Sequence, residues 1–168
     1  TAVVIEPTST HRRGAAISYG VRIRLDPSGQ VWVFLSGNDD GTGHGTVISQ
    51  IVADELGVPF SDVNVVEGDS LLCPHGTGSH SSRFAIMGTS AVMLGARELR
   101  KKVLAVASAL LETSPEKLEI EDGTVRLKDD PSRQLPIQEA ARVSYFAVHR
   151  LPDTVEPGME ILYYYRDP

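Results

Sequence analysis

Cysteine is nearly missing from the chain: Cys73 is the only one in 168 residues. An intrachain disulfide is excluded, and one thiol cannot supply the four protein ligands that an iron–sulfur cluster normally takes. Such sparing use fits a reducing compartment, and a cytoplasmic location is the expectation. Long apolar runs are missing too. No segment approaches the roughly 20 residues that span a bilayer, so no membrane helix is expected. Nor is there an excess of positive charge. A net charge of −6 argues against nucleic acid as a partner, because its phosphates reward basic patches. No internal repeat is visible. What remains is an ordinary soluble globular profile, 41% hydrophobic and 23% charged, of a length that suits one domain with one core.

Periodicity divides the chain. Thr1 to Gly14 shows no period and contains Pro7, Thr8 and Ser9. Residues 1–14 are therefore read as an arm or linker, and residues 15–168 as one domain. Apolar residues alternate from Ala16 to Leu25, with Arg22 and Arg24 on the opposite face. Asp26-Pro27-Ser28-Gly29 is a turn, and Gln30 to Leu35 is a second strand, which together predict a β-hairpin. Helical spacing of Val47, Ile48, Ile51, Val52 and Leu56 predicts a helix over about 43–56, ended by Gly57 and Pro59. Val63 to Val66 reads as a short strand. A long helix follows from about Phe84 to Glu112, in which Gly88 and Gly95 would permit close approach to another backbone. Ser114-Pro115 suits a capped helical turn. Leu118 to Lys128 reads as a hairpin around Asp122-Gly123, Pro136 to Tyr145 as a short helix, and Ile161 to Tyr165 as a last strand. Hairpins mixed with two main helices predict an α+β fold.

Two loops stand out because each opens a helix. The first carries Gly41, Thr42, Gly43, His44, Gly45 and Thr46. The second, within Gly68 to Ser82, carries Gly76, Thr77, Gly78, Ser79, His80, Ser81 and Ser82 before Arg83. A helix start offers backbone N–H groups without intrahelical partners and a partial positive charge. Glycine lets the backbone approach a ligand, hydroxyls add donors, and Arg83 adds a fork that matches phosphate oxygens. Two such loops could embrace a pyrophosphate or another anionic cofactor. They could equally be ordinary turns, which are rich in the same residues. Neither is a standard nucleotide motif: no Walker lysine follows the glycines, the first loop reads GxGxG, and no βαβ unit with a ribose-binding acid is evident.

Cys73, His75 and His80 fit no standard zinc spacing, so no metal site is assigned. Ser79-His80 lacks the elbow of a nucleophile, and neighbours in a loop seldom have triad geometry. His44 is expected to hydrogen-bond within its loop, Asp39-Asp40 to be a solvated turn, and Tyr163 to Tyr165 to pack as strand residues.

From Gly41 to Thr46 and from Gly76 to Arg83, the sequence resembles the molybdopterin-binding large subunit of the xanthine dehydrogenase, aldehyde oxidase and carbon monoxide dehydrogenase family. The likeness runs on through GHGTVISQIVADELGVPFSDVNVVEGDS, CPHGTGSHSSR and AVMLGARELRKKV, and covers roughly Ala15 to Leu127. It implies a molybdenum cofactor held by a pterin dithiolene, molybdopterin, often as a cytosine dinucleotide in bacterial members. By position it places Gly41, Thr42, Gly43, His44 and Thr46 on one cofactor loop. Gly78, Ser79, Ser81, Ser82 and Arg83 fall on the other. Thr42 stands where the family usually has Gln, and Gly45 where a larger residue is common. Family members hydroxylate carbon centres with water-derived oxygen, or oxidise carbon monoxide, and pass electrons onward. The implied partners are the remaining large-subunit segments, an iron–sulfur subunit and a flavoprotein subunit. The family's subunit is several times longer, so the chain is expected to be a fragment, a split subunit or a degenerate relative, inactive alone. No catalytic residue is assigned. Two other readings are a scaffold of the same fold without cofactor and a domain for another phosphorylated ligand.

Overall fold

A computed structural model describes residues 2–3, 18–80 and 82–166. Apart from Ala2 and Val3, the expected arm lies outside the described residues. The first hairpin forms as its pattern dictates. Strand β1 (Ser18–Leu25) pairs antiparallel with β2 (Val31–Leu35), in register from Val21 opposite Leu35 to Leu25 opposite Val31. Asp26 holds the turn by accepting from the Ser28 N–H at 2.9 Å and from the Trp32 indole at 3.2 Å. Helix α1 (His44–Leu56) then crosses over to β3 (Val63–Glu67), which pairs parallel to β2. The chain thus contains a βαβ crossover, which the sequence reading did not find. β3 is short and lies at a sheet edge, so its period betrays no parallel partner.

One π-helical turn, Phe84–Gly88, leads into helix α2 (Thr89–Leu110). A second sheet follows, made of β4 (Leu118–Glu121), β5 (Thr124–Leu127) and β6 (Asp130–Pro136). The hairpin at Asp122-Gly123 takes φ of 47° and 69° at its two central residues, the left-handed pair that a two-residue turn of matching twist requires. Strand β6 went unread because it carries two prolines and is exposed at six of its seven positions. Helix α3 (Ile137–Phe146) precedes β7 (Glu160–Arg166), which joins the first sheet beside β1 to give the order β3-β2-β1-β7.

The architecture is α+β, as expected. One core joins the buried face of the first sheet to the helices. Tyr19, Val21, Ile23 and Leu25 of β1 meet Val92, Ala96, Leu99 and Val103 of α2, and all eight are fully buried. Gly95 lets α2 settle on the sheet. A Cβ there would lie 3.0 Å from Val21 Cγ1 and 3.2 Å from Ile161 Cδ1, so the close contact is with strand side chains and not with another backbone. On the opposite face, the Arg22 guanidinium lies 4.3 Å from the centre of the Phe34 ring, in cation–π range.

Candidate functional site

Because β2 and β3 run parallel, the loops that leave them emerge at the same end of the sheet. Ligands of open sheets with parallel strands gather at that end. Here the two loops border one cavity of about 500 Å³, within the size range of small-molecule sites. Asp40, Thr42 and His44 line it from the first side, and Ser79, His80, Ser82, Arg83 and Phe84 from the second.

The first loop closes on a carboxylate. Asp39 Oδ1 accepts from the N–H groups of Gly41 at 2.9 Å, Thr42 at 2.8 Å and Gly43 at 3.3 Å, and Oδ2 accepts from the His44 N–H at 3.1 Å. Gly41 and Gly43 adopt φ of 97° and 80°, which gathers these donors on one side. Desolvation opposes ionisation of Asp39, but these donors and the nearby His44 outweigh it and hold the carboxyl below its usual range. Of the donors expected at this helix start, Asp39 therefore engages the His44 N–H, and Gly45 and Thr46 are not among its partners.

The His44 side chain does not hydrogen-bond within its loop, contrary to expectation. It is buried, stacks on Phe84 with ring centres 3.4 Å apart and planes 14° from parallel, and brings Nδ1 to 3.4 Å from Glu67 Oε1 at the end of β3. Burial pushes the Glu67 carboxyl above its usual range, and His44 pulls in the other direction. The stack ties the start of α1 to the turn that begins α2.

The second loop is held differently. Ser79 Oγ lies 3.0 Å from the Tyr19 hydroxyl, 60 residues away in sequence. Arg83 is only 4% exposed, and its Nε and Nη1 have no hydrogen-bond partner among the described residues. A buried guanidinium in that state is costly unless something anionic or strongly accepting satisfies it.

Of the residues singled out from sequence, Thr42, His44, Ser79, Ser82 and Arg83 come together around the cavity. Gly41, Gly43 and Thr46 do not line it, and Gly78 borders a neighbouring hollow of about 400 Å³. Ser81 lies outside the described residues. Tyr19, Asp39, Glu67 and Phe84 were not anticipated as site residues. Only Asp39 left a local signal, as an acidic residue shortly before a helix start. Asp39, Asp40 and His44 form the one group among the described residues with ligand atoms near enough for a metal, within 4.8 Å of one another. Asp39 is already committed to the backbone. Cys73, His75 and His80 form no such group.

Residues 1–167 match the family model of the molybdopterin cofactor-binding domain. The chain belongs to that family. Among its relatives is the carbon monoxide dehydrogenase large chain of Hydrogenophaga pseudoflava, 32% identical over 155 residues, which are 92% of this chain and 19% of that one. The nicotine 6-hydroxylase large subunit of Paenarthrobacter nicotinovorans is 33% identical over 138 residues, 82% of this chain and 17% of the relative. Quinoline 2-oxidoreductase from Pseudomonas putida 86 has the same fold, with a TM-score of 0.82 and 34% identity over 90% of this chain and 19% of its own. This molybdopterin-binding domain thus spans about a fifth of the length of the molybdenum hydroxylase large subunits it matches. No helix among the described residues is long and apolar enough to cross a membrane.

Proposed function

We propose that the cavity between the two loops holds the pterin and pyrophosphate portion of a molybdenum cofactor, within the large subunit of a molybdenum hydroxylase. The observation that carries this reading is Arg83: a buried guanidinium whose Nε and Nη1 have no hydrogen-bond partner among the described residues, on the wall of a cavity also lined by Thr42 and Ser82. A guanidinium fork fits a phosphate or a ring carbonyl. Arg83 binds, Ser82 and Thr42 orient, and the stacked His44 and Phe84 wall the cavity with apolar ring surface. The cofactor supplies the redox chemistry of hydroxylation when bound. A cytosine dinucleotide extension would need further length beyond the pyrophosphate, and the neighbouring hollow beside Gly78 offers room. The remaining large-subunit segments complete the site, and an iron–sulfur subunit and a flavoprotein subunit receive electrons in the cytoplasm.

Arg83→Ala in the complete enzyme is expected to lower both molybdenum and pterin content. Unchanged content of the two would overturn the reading. A second reading, a scaffold of this fold without cofactor, is favoured by one observation: Asp39 already occupies the N–H groups of Gly41 to His44 in the first loop. Molybdenum carried through purification of the native complex would defeat it.

A further inference from the structure

We infer that Tyr19 is a positioning residue for the second loop: its phenol, on the buried face of β1, fixes Ser79 and with it the cavity wall that carries Arg83. Tyr19 is fully buried, and its hydroxyl meets Ser79 Oγ at 3.0 Å. A buried phenol needs such a partner, and a loop that provides it is held in turn.

The surroundings are built for this contact. A Cβ on Gly37 would lie 2.7 Å from the Tyr19 hydroxyl and 3.1 Å from Ser79 Oγ, so only glycine leaves the pair its space. A Cβ on Gly88 would lie 3.4 Å from Tyr19 Cε1, and the Phe84 ring stands edge-on at 6.4 Å and 70°. Glycine at 76 rests the loop's approach on Ser36, where a Cβ would come within 2.4 Å of the hydroxyl oxygen. Ser36 in turn accepts the Gly20 N–H at 2.8 Å, one residue beyond Tyr19. The loop is therefore bonded to β1 at Ser79 and lies close against Ser36 at Gly76, before it delivers Arg83. The structural part of the inference stands alone. Its consequence for binding rests on the cofactor reading.

Hydrogen exchange on the full chain tests the first part. Tyr19→Phe is expected to keep the fold and raise amide exchange over residues 77–83 by roughly fivefold to tenfold, the size of one lost hydrogen bond. Ser79→Ala should do the same, and the double variant should add nothing further, because both remove one contact. Unchanged loop exchange in Tyr19→Phe, or effects that multiply in the double variant, would overturn the inference. If Tyr19→Phe fails to fold, Gly37→Ala disturbs the same pair from outside the core, and unchanged loop exchange in it would equally sink the idea. Affinity for inorganic pyrophosphate tests the consequence: it should fall in Tyr19→Phe. If Arg83→Ala leaves that affinity unchanged, the cofactor reading fails while the exchange result on Tyr19 stands.

Discussion

In the first loop, four successive N–H groups from Gly41 to His44 turn onto the carboxylate of Asp39. In the second, Ser79 is held by a phenol from a distant strand, and two buried nitrogens of Arg83 have no partner among the described residues. Both loops are rich in glycine and hydroxyls, and both open a helix at the same end of the sheet. What separates them is spare hydrogen-bonding capacity. A segment that turns four of its N–H groups onto its own carboxylate has fewer left to offer, whereas one whose buried guanidinium finds no acceptor for two nitrogens among the described residues has been left incomplete. Binding strength should therefore concentrate in the second loop, and the first should act mainly by its form.

The sharpest way to break this contrast is to remove the buried guanidinium. Arg83→Met is expected to weaken pyrophosphate binding by roughly 30-fold or more, the loss of about 2 kcal/mol or more of charge-assisted hydrogen bonding. The ligand-free chain should at the same time become more stable, because an apolar side chain replaces a buried guanidinium with two nitrogens that find no acceptor among the described residues. Thr42→Ala should change affinity by less than about threefold, as an exposed hydroxyl contributes little. Titration calorimetry and thermal unfolding read both effects. A larger binding loss in Thr42→Ala than in Arg83→Met would reverse the roles of the loops.

The next test acts on the first loop alone. Asp39→Ala should expose the amides of residues 41–44 to exchange, on the order of tenfold, while exchange over residues 77–80 and 82–83 stays as in the parent. Acid should mimic the substitution. The folded pKa of Asp39 lies below its ordinary value of 3.8. Its stabilising contribution is therefore complete above that value and is lost as pH falls through the folded pKa. Exchange measured between pH 5 and pH 2.5, corrected for intrinsic rates, should show residues 41–44 opening before the Tyr19–Ser79 contact fails, since neither hydroxyl titrates there. Simultaneous opening of both loops would mean that they are one cooperative unit.

Much of this could be read from residue order alone. The first hairpin, α1, the hairpin at Asp122-Gly123 and the two loops all carry local signals, whether alternation, helical period or glycine at a turn. The βαβ crossover and β6 carry none, since parallel pairing is not encoded in a strand's own period and β6 lacks the residues that favour strands. In the site, loop residues announced themselves by type. Tyr19 did not, because it reads as one more apolar residue in an alternating strand. Glu67 looked like a strand's polar end. Both matter through contacts across 60 and 23 residues of sequence, and distance of that kind is visible only in the fold.

The smallest expected effect concerns the contact that couples the two loops. Glu67 lies beside His44, and His44 stacks on Phe84, so one carboxylate sits behind both segments. Burial raises the Glu67 pKa above its ordinary 4.5 even against the pull of His44. For a carboxyl the sign is then the reverse of Asp39. The folded state favours the protonated form, and a cost develops as pH rises from 4.5 through the folded pKa. Glu67→Gln removes that cost without removing the side chain's bulk. Its melting temperature should match the parent near pH 4 and exceed it by a degree or two at pH 7, with exchange in both loops unchanged. A lower melting temperature at pH 7 would show that the Glu67–His44 pair is a net stabiliser. The stack on Phe84 would then depend on a charge and not on ring contact, and the first loop could not be treated as self-sufficient.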